Sequence, residues 1–299
     1  MEKILEVKDL RKSYKDKLIL DNINFSLKPK EIVGLVGANG AGKTTLMKLI
    51  LGFIFKDSGE IKFYNESSFH NNRELMNKIG FLIDTRIYEH LNAEENIKIQ
   101  MLYRNVKDRK KTFERAKYLL ELVGLNNVDK KISDYSFGMK QRLSLTLSLL
   151  SDVKLLILDE PFVGLDPNGI VGVKNFIKEI VEKEGIALLI SSHQMNEIDE
   201  LCSRFLILKD KKIINHNLSK DKVYIFNTLN NLDFIKNNIN GLKIIKNKIY
   251  VNDKKNLDLA IDFIRNNNIS LSDIELEVDS MGKVFKEVEN EKSSQSRTI

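Results

Sequence analysis

Residues 34–45, GLVGANGAGKTT, constrain the fold more than any other stretch of this chain. Within them GANGAGKT at 37–44 fits G-x-x-x-x-G-K-[ST], the phosphate-binding P-loop. The apolar run EIVGLV at 31–36 reads as a buried strand before it, and LMKLIL at 46–51 as a helix after it. Strand, glycine-rich turn and helix in that order aim successive backbone N–H groups and a helix N-terminus at anionic oxygens. Lys43 adds a point charge for β- and γ-phosphates, and the Thr44 hydroxyl is placed to hold Mg2+. The chain is therefore expected to bind a nucleoside triphosphate, with Gly37, Asn39, Gly40, Ala41, Gly42, Lys43, Thr44 and Thr45 around it.

Such a strand belongs to an α/β domain, and 299 residues are enough for about two domains. The net charge of +6 arises from 48 basic and 42 acidic residues spread along the chain, which suits an anionic ligand or a membrane-facing partner and does not mark a nucleic-acid binder. A single cysteine, Cys202, excludes an intrachain disulfide and fits a reducing compartment. The first residues lack the apolar core of a signal peptide, and no segment approaches the roughly 20 apolar residues of a membrane span. These features predict a soluble, cytoplasmic chain.

Strands are expected at 2–10, 18–27, 59–64 and 79–83, with a polar loop at 65–72 and Asp84 closing the fourth strand. Tyr14 lies upstream of the P-loop and reads equally as a platform for an adenine base or as a half-buried strand tyrosine. Residues 92–150 turn helical: Phe113, Ala116, Leu119, Leu120 and Val123 keep helical spacing, with Gly124 as the stop. Ser136 in YSFGMKQR (135–142) reads as a helix N-cap, and Ser with glycine there offers a second anion site.

The run LLILDE at 155–160 ends a core strand in two carboxylates, a costly placement unless they serve a cation or a reaction centre. Asp159 would hold Mg2+, and Glu160 would orient or deprotonate an attacking water. Asp166 followed by Pro167 reads as an N-cap and first helical residue of a helix to about 182. The strand at 187–190 runs into Ser191, Ser192 and His193, and His193 could contact a γ-phosphate. A hairpin over 205–214 follows. Beyond about 218, Asn and Lys become frequent, and short strands (223–226, 243–245, 249–251) alternate with two amphipathic helices. Leu257, Ala260, Ile261 and Ile264 mark the first, and Met281, Val284, Phe285 and Val288 the second. A small α+β accessory domain is expected over 218–289, then a polar, flexible tail at 290–299.

With these elements in order, residues 1–215 resemble the ATP-binding subunit of an ABC transporter. Tyr14 matches that family's adenine-stacking aromatic, residues 37–45 its P-loop, and 136–142 its signature motif. Asp159 and Glu160 match its Mg2+ and catalytic carboxylates, 164–166 its D-loop and His193 its switch histidine. The resemblance implies a P-loop NTPase domain over 1–217 with a helical subdomain at about 85–150. ATP and Mg2+ are the implied cofactors, with Lys43, Glu160 and His193 catalytic and Thr44, Asp84 and Asp159 on the metal. It further implies head-to-tail pairing with a second ATP-binding subunit, either another copy or a different chain. Ser136, the Gly138 amide and Asp166 would then serve the nucleotide between the two. The implied partner is a separate polytopic permease, which holds the subunit at the cytoplasmic face of the membrane.

Three departures mark a branch. Phe137 replaces the first signature glycine, Met139 replaces the following Gln, and Asp84 stands where the family carries a Mg2+-contacting Gln. They resemble the ATP-binding proteins of bacitracin and lantibiotic transporters, which export peptide antibiotics or confer resistance to them. A soluble ABC ATPase acting on ribosomes or nucleic acid is the alternative. It fits less well, because no long heptad run separates Lys43 from Asp159 and the chain has one P-loop. A sensing module with an idle Glu160 is a third reading.

Overall fold

A computed structural model describes residues 2–83, 87–126, 130–193 and 197–217, and then 222–229, 232, 238–239, 242–245, 247–251 and 256–278. The chain divides into two compact units, Met1–Asn217 and Leu218–Ile299.

The first unit opens with the antiparallel hairpin β1 (Leu5–Tyr14) and β2 (Lys17–Leu27). It continues through β3 (Ile32–Val36), α1 (Lys43–Ile50), β4 (Ser58–Phe63), the single turn α2 (Arg73–Met76) and β5 (Ile79–Leu82). A helical segment follows: α3 (Ala93–Tyr103), α4 (Arg109–Leu122) and α5 (Phe137–Ser148). The chain then returns to strands with β6 (Leu155–Leu158), α6 (Pro167–Glu184), β7 (Ala187–Ser191), β8 (Arg204–Lys209) and β9 (Lys212–Asn217). The first sheet has the order β2-β1-β4 and the second β5-β6-β7-β3-β8-β9, in which only β9 runs antiparallel to its neighbour.

Local chemistry explains the breaks. Asn92 and Glu95 form a reciprocal capping box that starts α3, and Asp108 caps α4. Gly185 ends α6 in the left-handed conformation. Strands β3, β6 and β7 are buried throughout, as a parallel sheet covered on both faces requires. One core joins both sheets: Leu5 and Leu10 of β1, Ile23 of β2, Leu46 and Met47 of α1, and Leu189 and Leu206 of β7 and β8. The polar loop expected at 65–72 hides an exception. Phe69 within it is fully buried in that core, stacked on His70, and opens a short 3-10 turn, Phe69–Asn71. A single aromatic among polar neighbours gives no periodicity to read.

The second unit carries an antiparallel sheet, order β11-β12-β13-β10-β14, formed by β10 (Lys222–Thr228), β11 (Asn238–Ile239), β12 (Leu242–Ile245), β13 (Lys248–Val251) and β14 (Leu271–Val278). The helix α7 (Leu257–Asn266) buries Ala260 and packs Leu257, Phe263 and Ile264 on Phe226, Ile249 and Val251. Ile261, expected on that face, is 43% exposed, and Phe263 takes its place. The sequence reading missed β14, although Ile274, Leu276 and Val278 alternate there with charged residues. The helix expected around 281–288, the tail at 290–299 and Asp84 lie outside the described residues.

Candidate functional site

Adjacent parallel strands β6, β7 and β3 end at the same edge of the sheet, and each delivers chemistry there. The P-loop follows β3, the carboxylate pair follows β6, and Ser191 closes β7 ahead of Ser192 and His193. Open α/β sheets bind ligands at this carboxyl edge, because the connections to the helices leave a crevice there.

Gly42 precedes α1 at its N-cap with φ 113°, and a Cβ there would press on Ile19 and Leu20, so the β1–β2 hairpin braces the P-loop. A Cβ at Gly40 would meet nothing within 4 Å, so the loop has an open side. Lys43 is only 7% exposed, and its Nζ donates to the Gly37 carbonyl at 2.8 Å. An ammonium held on a backbone carbonyl can transfer to a phosphate oxygen with a small movement.

Asp159 is gripped on both oxygens. The Thr44 hydroxyl donates to Oδ2 at 2.6 Å and the Ser191 hydroxyl to Oδ1 at 2.5 Å. Ser191 Oγ also accepts the Glu160 N–H at 3.0 Å. Glu160 adopts φ 50°, a left-handed conformation unusual for a side-chain-bearing residue, which sends its carboxylate away from the strand direction. That carboxylate meets His193: Nδ1 lies 2.7 Å from Oε2, and the His193 N–H donates to the same oxygen at 3.3 Å.

The oxygen donors of Thr44 and Asp159 suit Mg2+, which prefers hard oxygens and completes its shell with water and phosphate. Among the described residues, no group of three or more His, Cys, Asp and Glu could hold a metal alone, so a cation here would depend on phosphate oxygens.

Tyr14, Ser136 and Asp166 take no part in the hydrogen bonds of this cluster. Tyr14 ends β1 about half exposed, with the Lys12 ammonium 5.0 Å from its ring centre. Ser136 caps α5 through the Met139 N–H at 3.2 Å, and Asp166 caps α6 through the Gly169 N–H at 3.0 Å. Both side chains therefore have structural work independent of any ligand. Tyr135, just before the cap, has a buried hydroxyl with no hydrogen-bond partner among the described residues, and burial raises its pKa. Ser191 is the participant that sequence reasoning passed over. Its signal was a hydroxyl at the end of an apolar strand beside the carboxylate strand.

The family model described as "ABC transporter" matches residues 20–163. The bacitracin transport ATP-binding protein BcrA of Bacillus licheniformis is 36% identical over 216 residues, covering 72% of this chain and 69% of BcrA. The chain belongs to the ABC transporter ATP-binding proteins. A second relative of this ABC subunit, the lantibiotic transport ATP-binding protein SrtF of Streptococcus pyogenes, is 38% identical over 213 residues. That match covers 71% of the chain and 89% of SrtF. Among solved structures, cbiO1 from Clostridium perfringens, part of the ABC transporter complex cbiONQ, superposes with a TM-score of 0.65 at 27% identity. It covers 73% of this chain and 89% of cbiO1. The protein is an ATP-binding subunit with the ABC cassette fold, and ATP hydrolysis coupled to transport is typical of its family. Among the described residues, no helix is long and apolar enough to cross a membrane.

Proposed function

We propose that this ABC subunit hydrolyses ATP with Mg2+ at the β3–β6–β7 edge. It does so as one of a pair of ATP-binding subunits that drive a separate membrane permease from the cytoplasmic face of the membrane. The observation that carries this reading is the paired arrangement at the strand ends, with Thr44 on Asp159 and His193 on Glu160.

Each residue has a distinct task. Lys43 exchanges the Gly37 carbonyl for β- and γ-phosphate oxygens, and the P-loop amides cradle the rest of the polyphosphate. Thr44 and Asp159 would hold Mg2+, which when bound neutralises charge on the phosphate oxygens. The Glu160 carboxylate accepts the proton of the attacking water, and His193 fixes its direction and reaches toward the γ-phosphate. Ser191 holds Asp159 and the Glu160 backbone in register. Tyr14 supplies an aromatic face for the adenine base. Across the pair, the Ser136–Gly138 turn and Asp166 of one subunit face the P-loop of the other, so ATP joins the subunits and hydrolysis releases them.

The names of BcrA and SrtF support peptide antibiotics as the transported class, in export or resistance. No observation favours action on ribosomes or nucleic acid. The test is purification of tagged Glu160→Gln chain with ATP from detergent-solubilised membranes, beside an ATPase assay. A stoichiometric polytopic membrane protein, with turnover lowered by about 100-fold or more, is expected. Recovery with ribosomes or nucleic acid, or hydrolysis at the wild-type rate, would overturn it.

A further inference from the structure

Phe137 is 57% exposed at the first position of α5, an unusual setting for a large aromatic. One edge of its ring is nevertheless pressed onto backbone. A Cβ at Gly164 would fall 2.3 Å from Phe137 Cδ1 and 2.5 Å from Cε1, so the ring occupies the space a side chain there would need. Gly164 itself sits at φ 75°, so its turn has no freedom to bring any other residue under the ring without strain.

Two further contacts lie along the same helix face. A Cβ at Gly138 would come within 3.2 Å of Leu165 Cδ2, and the Gln141 side-chain amide donates to the Pro161 carbonyl at 3.0 Å. The segment gripped in this way runs from Glu160 to Asp166. It is anchored by buried Phe162 and by the Asp166 cap of α6, and Gly164 and Leu165 at its tip bear on α5.

We infer that Phe137 is a positioning residue: by clamping the Gly164 turn it ties the Glu160–Asp166 segment to the first turn of α5. The inference rests on the roles proposed above for Glu160 and the Ser136–Gly138 turn. Those two groups serve different nucleotides of the pair, and Phe137 makes them move as one body within each chain. Contact of the Ser136–Gly138 turn with one nucleotide then sets the backbone that presents Glu160 to the other. A glycine at 137 would leave this coupling to Gln141 and Leu165 alone.

The experiment is a mutant cycle on full-length protein, read as kcat and KM for ATP. Phe137→Ala keeps the helix and removes the ring, and it is expected to lower kcat about tenfold while KM moves less than about twofold. Phe137→Leu restores an apolar contact and is expected to recover most of the loss. Gly164→Ala drives a methyl into the ring, so it should cost about fivefold more in the wild-type background than beside Phe137→Ala. An additive cycle, or a Phe137→Leu chain no better than Phe137→Ala, overturns the inference, as does a loss confined to KM. Glu160→Gln is assayed in parallel. Hydrolysis by it at the wild-type rate would overturn the assignment of the base, whereas an additive cycle beside an inactive Glu160→Gln chain overturns the Phe137 inference alone.

Discussion

Thr44 and Asp159 stand 115 residues apart in sequence and meet at 2.6 Å, hydroxyl to carboxylate. Their meeting joins the first turn of α1 to the end of β6, and Ser191 completes it from β7 at 2.5 Å.

Ser191→Ala removes a hydroxyl that serves two groups, leaving Asp159 Oδ1 without its donor and the Glu160 N–H without its acceptor. We expect a stability loss of about 1–3 kcal/mol in urea unfolding. The Mg2+ concentration for half-maximal ATPase activity should also rise. Unchanged values for both would show that Ser191 is a bystander.

Lys43→Ala takes away the buried ammonium now resting on the Gly37 carbonyl. Affinity for a fluorescent ATP analogue should fall by about 100-fold, the loss of a charge-assisted contact in a sheltered site. The chain should remain folded by circular dichroism. Binding within a few-fold of wild type would contradict the Lys43 role.

At Gly80 in β5, an added methyl would lie 2.4 Å from the Ser148 carbonyl of α5. That oxygen belongs to backbone and cannot swing aside. Gly80→Ala should therefore destabilise the first unit by about 2–3 kcal/mol, seen as a lower Tm. The same substitution at Gly172, inside α6 where a Cβ meets nothing within 4 Å, serves as the control and should stabilise by about 0.5–1 kcal/mol.

Burial pushes the Cys202 thiol well above its ordinary range, with the Asp199 charge adding to the effect. A thiol that ionises first in the unfolded chain leaves stability unaffected below the unfolded-state pKa of about 8.5 and lowers it as pH rises beyond. Cys202→Ala should lose that alkaline decline in urea midpoints between pH 8 and 10. Native protein should also resist thiol-specific labelling at pH 8 until denaturant is added.

The α/β class, the strand-to-helix P-loop, the buried carboxylate strand and the caps at Ser136 and Asp166 were legible in sequence. Each is written in neighbouring residues: an apolar run, a turn, a cap. Thr44 and Asp159 were each read as Mg2+ residues and lie in contact, whereas the contact of Glu160 with His193 had no counterpart in the sequence reading. What stayed hidden depends on partners far along the chain. Phe69 looks like a loop residue until the core closes on it, and Ser191 acquires its task only when β6 and β7 lie side by side. Arg104 is half-buried, and its guanidinium donates to the Ser151 hydroxyl at 2.9 Å across 47 residues of sequence. Likewise the ring of Phe137 gives no sign in sequence that it rests on Gly164.

The placement of β3 has a consequence for how the chain is made. Its neighbours are β7 and β8, with Ile32 beside Leu188 and Val33 beside Arg204. During ribosomal synthesis the strand that leads into the P-loop emerges before both of them and has neither neighbour until most of the first unit has been translated. At 5–20 residues per second this wait lasts on the order of ten to thirty seconds, with an apolar strand edge bare throughout. A ribosome that stalls before β7 releases a chain with an unpaired, aggregation-prone strand, so nascent-chain holdases should engage this protein until residue 209 has cleared the exit tunnel.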